Sequence, residues 1–182
     1  MTRQIGLLRG INVGGKNRVP MAQLRELMEA LGYTGVETLL QSGNVVFGSN
    51  EPAATSERRI ARRLREETGL DIKVLVRTRA ELAAAVKRNP LGKHADNPKH
   101  HHVMFLSARP DPKLVAAVDP ADYEPEMFEL HGRELFMWWP AGAHNARLTH
   151  SFWERKLKVT ATARNWNTVQ RLLEMAASEG PV

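Results

Sequence analysis

The order of apolar periodicities in the first 77 residues constrains the fold more than any other sequence feature. Short β-favouring runs alternate with apolar residues at helical three- and four-residue spacing, in the order strand, helix, strand, strand, helix, strand. That order predicts a split βαβ, or ferredoxin-like, subdomain over residues 1–77. A capping box of Thr78 and Glu81 opens a further helix, and residues 78–182 are predicted to form a second α+β subdomain.

The second half repeats this order of elements in part. A strand over 103–106, a helix after Asp111 and a hairpin of 127–130 with 135–139 are predicted, with helix from about Thr149. A second helix is predicted where the last strand of the order would fall. The predicted fold class is therefore α+β, with two ferredoxin-like (split βαβ) subdomains and an extra C-terminal helix. Individual residues show no repeat.

Composition excludes several kinds of chemistry. The 182 residues include no cysteine, which rules out disulfides, thiolate nucleophiles and cysteine-ligated metal centres. No apolar run approaches the roughly 20 residues that span a bilayer, and the first residues lack the apolar region of a signal peptide. We therefore expect a cytoplasmic protein without a membrane partner and predict no cofactor.

The positive charge is concentrated near the two ends of the chain. The formal net charge is +6, and residues 1–25 carry basic side chains without any acidic one. In residues 147–171, Glu154 is the only acidic residue among several basic ones. If the two ends meet in the fold, they form one positive surface, for which nucleic acid or a phosphorylated small molecule is the expected partner.

A glycine-rich segment, residues 9–17, follows the first predicted strand and satisfies the pattern G-x-x-x-x-G-K. Asn17 stands where a P-loop has a Ser or Thr for magnesium, and Pro20 starts the next helix too late to point it at a cradled phosphate. These features argue against a nucleotide hydrolase. Two interpretations remain: an anion nest formed by the glycine amides with Lys16 or Arg9, or a connection that needs glycine for its turns.

Two further motifs allow a binding interpretation and a structural one. The segment 41–44 has the composition of a hairpin turn, and the sequence does not decide whether it touches the glycine-rich segment. Residues 164–168 open the last helix, where an arginine and free amides favour anions, while Trp166 fits the apolar face. The candidate anion-binding residues are Arg9, Asn12, Gly14, Gly15, Lys16, Gln41, Asn44, Lys156, Arg164 and Asn165.

Three consecutive histidines, His100, His101 and His102, raise the question of a metal site. In a strand, His100 and His102 share a face and His101 does not. Two imidazoles without a third ligand of fixed geometry make a weak site, so no metal is predicted.

Three motifs in order make the chain resemble the uncharacterised bacterial family DUF1697. They are Arg-Gly-Ile-Asn-Val-Gly-Gly-Lys-Asn at 9–17, Gln-Ser-Gly-Asn-Val-Val-Phe at 41–47 and Arg-Asn-Trp-Asn-Thr at 164–168. The resemblance covers essentially the whole chain and implies an α+β protein with two ferredoxin-like subdomains. It implies no established activity and no catalytic residues.

The leading hypothesis is a protein that binds phosphate-bearing anionic ligands, including nucleic acid, through its basic ends. One alternative is an enzyme acting on a small phosphorylated metabolite, and another is an interaction module without catalysis. The near absence of carboxylates in the motifs weakens any acid–base mechanism.

Overall fold

A computed structural model describes residues 1–178 of the chain. Residue contacts group the described chain into two units: unit 1 contains Met1–Ala84 and the residues from Arg171 onwards, and unit 2 contains Ala85–Gln170. The boundary predicted from the sequence lies between residues 77 and 78, and the predicted second subdomain, residues 78–182, includes the C-terminal residues.

Unit 1 contains a four-stranded sheet in the order β2-β3-β1-β4, in which every neighbouring pair is antiparallel. Its elements, together with the helix that leads out of it, are β1 (Thr2–Leu8), α1 (Met21–Ala30), β2 (Thr34–Leu39), β3 (Asn44–Ser49), α2 (Ala53–Thr68), β4 (Val74–Thr78) and α3 (Arg79–Arg88). The capping box at α3 is confirmed, because the Thr78 backbone N–H donates to Glu81 at 2.8 Å and the Glu81 N–H donates to the Thr78 hydroxyl at 3.2 Å.

Both faces of this sheet are buried over the strands β3, β1 and β4. Val45 and Phe47 of β3 and Val76 of β4 form one core with the apolar stripes of α1 and α2. Ile5 and Leu7, which point to the opposite face of β1, are also fully buried. The accessible parts of the sheet are therefore the half-exposed edge strand β2, the ends of the strands and the loops there.

The edge strand β2 contains a bulge. Thr34 pairs with Gly48 and Glu37 pairs with Val46, so β2 carries one residue more than β3 over this interval. The Arg3 guanidinium holds the bulge by donating to the Gly35 carbonyl at 2.9 Å and to the Glu37 carboxylate at 3.0 Å.

Unit 2 contains a second four-stranded antiparallel sheet in the order β6-β7-β5-β8. Its elements and the helix that follows them are β5 (His101–Leu106), α4 (Pro112–Ala116), β6 (Met127–His131), β7 (Glu134–Trp138), α5 (His150–Leu157), β8 (Ala161–Asn165) and α6 (Trp166–Ala177). The predicted replacement of the last strand by a helix is wrong, because β8 pairs with β5 along its whole length. The predicted final helix is present as α6, and it follows that strand.

The described residues thus form a mixed α/β protein with two four-stranded antiparallel sheets and six helices. Each sheet is built from the same order of elements, and in each the third and first strands of the unit are the central pair.

Candidate functional site

The glycine-rich segment of unit 1 forms a small β-hairpin between β1 and α1. The Asn12 N–H donates to the Asn17 carbonyl at 3.1 Å, and the Lys16 N–H donates to the Val13 carbonyl at 3.1 Å. Gly14 and Gly15 occupy the two central positions with φ values of +57° and +75°, which are the signs of a type I′ turn. The glycines therefore supply the left-handed backbone that this turn requires.

The Asn12 side chain fastens the base of the hairpin. Its Nδ2 group donates to the Val19 carbonyl at 2.9 Å and to the Gln41 carbonyl at 2.7 Å, and its Oδ1 atom accepts from the Val19 N–H at 2.9 Å. The hairpin and the β2–β3 turn are thus in direct contact. These bonds occupy the amide group of Asn12. Its side chain therefore holds the hairpin against the β2–β3 turn, and we call this set of bonds the Asn12 clamp.

The β2–β3 turn packs closely against the end of β1. The Leu8 N–H donates to the Gly43 carbonyl at 2.8 Å, and a Cβ atom on Gly43 would lie 2.7 Å from the Leu8 Cβ and 2.9 Å from the Ile11 Cδ1. Asn44 is fully buried and closes the turn by donating from Nδ2 to the Leu39 carbonyl and the Ser42 hydroxyl, both at 3.0 Å. Gln41 is exposed and meets Asn12 through its carbonyl.

Replacing Asn12 with aspartate is expected to lower the free energy of unfolding by about 2 kcal/mol, because the carboxylate keeps the acceptor but turns both donated bonds into oxygen–oxygen contacts. Asn17→Asp is the matched control: Asn17 is exposed in the same loop, also has positive φ, and its side chain makes one bond, from Nδ2 to the Gly10 carbonyl at 3.1 Å. Urea unfolding of both variants measures the difference. An equal loss of free energy of unfolding in the two variants would contradict the view that the Asn12 side chain holds the hairpin in place.

Exposed cations surround the hairpin. Arg9, Lys16 and Arg18 are exposed, and in the part of the chain that the structure describes Lys16 and Arg18 have no ion-pair partner. We call the exposed residues of segments 9–18 and 40–42 the loop surface. The two segments contain three basic residues, Arg9, Lys16 and Arg18, and no acidic one, so the loop surface has a positive formal charge of its own.

Two backbone hydrogen bonds at this end of the unit 1 sheet have counterparts in unit 2. In unit 1 the Leu8 N–H donates to Gly43 at 2.8 Å and the Arg9 N–H donates to the Lys73 carbonyl at 2.9 Å. These bonds join the end of the first strand to the hairpin turn on one side and to the start of the fourth strand on the other.

In unit 2 the Leu106 N–H donates to the Arg133 carbonyl and the Ser107 N–H donates to the Thr160 carbonyl, each at 2.9 Å. After these bonds the chain reaches Asp111, the N-cap of α4, without a hairpin. The same sheet end is therefore closed in unit 2 by a much shorter loop. The hairpin of unit 1 is an addition that this arrangement of strands does not require.

The three predicted binding residues of unit 2 are placed differently from those of unit 1. Lys156 is half-buried near the end of α5, and Asn165 caps α6 by accepting from the Thr168 N–H at 2.9 Å. Arg164 is 8% exposed and donates to the Thr162 hydroxyl and the Ala163 carbonyl, both at 2.8 Å. Burial lowers the pKa of Arg164 to about 10. Their contribution to anion binding stays a prediction.

Arg77 in β4 occupies the position that corresponds to Arg164. It pairs with Ile5 of β1 as Arg164 pairs with Val103 of β5, and it is 1% exposed. Arg77 is not among the residues predicted from the sequence, because a lone arginine after an apolar run is typical of the point where a strand ends.

The histidines of β5 lie on different faces, as strand geometry predicts. His101 is buried and stacks on Trp166 with the ring centroids 4.6 Å apart, whereas His102 packs against Trp139 at 4.6 Å. Desolvation lowers the pKa of both histidines to about 4. The described residues include no group of three or more potential metal ligands.

A pocket of about 1020 Å³ lies in unit 1 at the start of β1, lined in part by Met1, Arg3, Tyr33 and Arg79. The loop surface follows the other end of β1. This pocket includes none of the candidate anion-binding residues predicted from the sequence.

The fold defines a class of mixed α/β proteins with two four-stranded antiparallel sheets. One solved structure, of the conserved bacterial protein SP0830 from Streptococcus pneumoniae, superposes with a TM-score of 0.76 at 22% identity, over 96% of this chain and 98% of that one. The chain belongs to the DUF1697 family of proteins of unknown function, whose family model matches residues 1–136. The motif at 164–168 lies beyond that match.

A comparison with curated proteins finds no match. Among the described residues, none of the helices has the length and apolar character needed to cross a membrane.

Proposed function

We propose that this protein binds phosphate-bearing anionic ligands through the loop surface of unit 1, nucleic acid being the principal class. The observation that carries the proposal is the exposed hairpin with Lys16 and Arg18, two cations that have no ion-pair partner in the described chain. Phosphate groups are the anions for which such cations supply both affinity and salt dependence.

The way in which the hairpin is held supports a binding role. A type I′ turn, the Asn12 clamp and the contact with the β2–β3 turn fix its conformation. Binding through a fixed loop loses less conformational entropy than binding through a flexible one. Because unit 2 closes the same sheet end without a hairpin, the energy spent on holding it is not needed for the fold.

The exposed position of these residues favours a polymeric ligand over a small metabolite. Small-molecule sites are concave and bury most of the ligand. The residues at the hairpin tip, from Val13 to Arg18, are all exposed, so they suit a ligand that presents phosphates along an extended chain.

The double variant Lys16→Ala/Arg18→Ala tests the proposal. We expect it to weaken binding of a mixed-sequence oligonucleotide about tenfold near 0.1 M salt and to reduce the slope of log affinity against log salt by about 1.5, since two phosphate contacts are lost. Fluorescence anisotropy across a salt series measures both.

The matched control is Arg109→Ala/Lys113→Ala, which removes the same charge from exposed positions in and just after the short loop of unit 2. It is expected to keep the wild-type slope. If both double variants lose the same affinity, net charge and not the loop surface governs binding. Absent or salt-insensitive binding by the wild type would overturn the proposal.

For the finer fold, we infer that each unit is ferredoxin-like. The support is the element order strand, helix, strand, strand, helix, strand in each unit, together with sheet orders that insert the third strand between the first and the second.

A further inference from the structure

Two exposed aliphatic side chains lie on the loop surface. Among the described residues, the large hydrophobic side chains with high exposure are those of Met1, Val13 and Leu40, at 77%, 65% and 63%. Val13 belongs to the hairpin and Leu40 to the β2–β3 turn, and the Asn12–Gln41 hydrogen bond joins these two loops. The loop surface therefore presents two apolar side chains in addition to its cations.

Leu40 is held there at an energetic cost. Its φ is +58°, in the left-handed region that costs an ordinary L-residue about 1 kcal/mol or more. Asn12 and Asn17 also have positive φ, so three of the four such non-glycine residues in the described chain belong to the hairpin and the adjoining turn. Asparagine tolerates this conformation because its side chain can hydrogen-bond to the nearby backbone, whereas a leucine side chain makes no such bond.

We propose that the ligand of the loop surface is single-stranded nucleic acid, with bases packing on Val13 and Leu40 while phosphates contact Lys16 and Arg18. This inference rests on the proposed function and names its ligand. A single strand offers apolar base faces and phosphates alternately along one chain. A duplex keeps its base faces stacked, so aliphatic side chains reach them only by kinking the helix.

The variants Leu40→Asn and Val13→Ser remove the apolar groups and leave the charge unchanged. Two probes are compared: a single-stranded oligonucleotide and inorganic polyphosphate of matched charge, which has no bases. Each variant is expected to bind the oligonucleotide about fivefold more weakly, with an unchanged salt slope, because burial of part of an aliphatic side chain is lost. Polyphosphate affinity is expected to stay at the wild-type value.

Met1→Ser, expressed behind an N-terminal tag that supplies the start methionine, is the matched control, since Met1 is the third exposed hydrophobic residue and precedes β1, whereas the hairpin follows β1. Leu40→Asn also separates binding from folding. Asparagine accepts positive φ, so the melting temperature of this variant should equal or exceed that of the wild type while its affinity falls. A merely structural role for Leu40 would not produce that combination.

Three outcomes would overturn the inference. One is an equal loss of affinity for polyphosphate, and another is tighter binding of the duplex form of the same sequence. The third is binding to phosphatidylglycerol vesicles that the two variants abolish while oligonucleotide binding is kept. If Lys16→Ala/Arg18→Ala weakens oligonucleotide binding but the apolar variants do not, the proposed function stands and this inference fails.

Discussion

Replacing Gly43 with alanine is expected to lower the free energy of unfolding by about 3 kcal/mol. Part of this cost arises because Gly43 has φ of +77°, a conformation that alanine adopts with strain. The larger part is steric, because the new Cβ would overlap Leu8 and Ile11, both of which are buried. Urea-induced unfolding followed by circular dichroism measures the change.

Gly69→Ala separates the two contributions. Gly69 ends α2 with φ of +70°, and a Cβ atom there would meet nothing within 4 Å. This control is expected to cost about 1 kcal/mol, from backbone strain alone. If Gly43→Ala lowers the free energy of unfolding no more than Gly69→Ala does, the prediction of close packing between the β2–β3 turn and the end of β1 is wrong.

Acidification from pH 6.5 towards pH 4 is expected to destabilise the protein through the buried histidines of β5. His101 is 1% exposed, and desolvation lowers its pKa from 6.5 to about 4 in the folded state. The unfolded chain therefore binds more protons than the folded chain between these values. The stability due to neutral His101 is complete above pH 6.5 and is lost as the pH falls to about 4.

The full interval corresponds to about 3 kcal/mol for His101, at about 1.36 kcal/mol per pKa unit. His102 adds a loss of the same sign, since burial lowers its pKa as well. Measuring the free energy of unfolding at several pH values gives the slope, which counts the protons taken up on unfolding.

His101→Leu is expected to reduce this slope by about one proton, whatever it does to stability at neutral pH. Val103→Ala is the matched control, because it removes buried apolar volume from the same strand without removing a titratable group. The two variants must differ in slope. An unchanged slope in His101→Leu would show that His101 does not drive the acid sensitivity.

Most of the elements could be predicted because their signals are local. The apolar spacing of α1 after Pro20 and the turn composition of 41–44 each lie within a few residues, and the structure has a helix and a hairpin at those places. The strand that the sequence does not predict is β8, Ala161–Asn165. Thr162 is its single β-branched residue. Its strand conformation depends on pairing with β5, which propensity does not register.

The composition of the candidate site could be predicted only in part. Lys16, Gly14 and Gly15 can be proposed from the sequence because a cation beside a glycine pair is a recognisable local pattern. The contact between Asn12 and Gln41 depends on which end of the sheet each loop occupies, a property of strand pairing and not of either segment. The exposure and positive φ of Leu40 could not be predicted, because in the sequence this leucine has the pattern of the last residue of an apolar strand.

The bulge in β2 affects whether neighbouring molecules can pair through the edges of their sheets. Under the proposed function, several copies bound to one nucleic acid chain would bring the sheet edges of neighbouring molecules close together, and a regular edge strand can then pair with another chain. The extra residue between Thr34 and Glu37, held by Arg3, interrupts the row of free backbone groups on β2. Along this edge, neighbouring molecules are expected to pack densely without joining their sheets into a fibre.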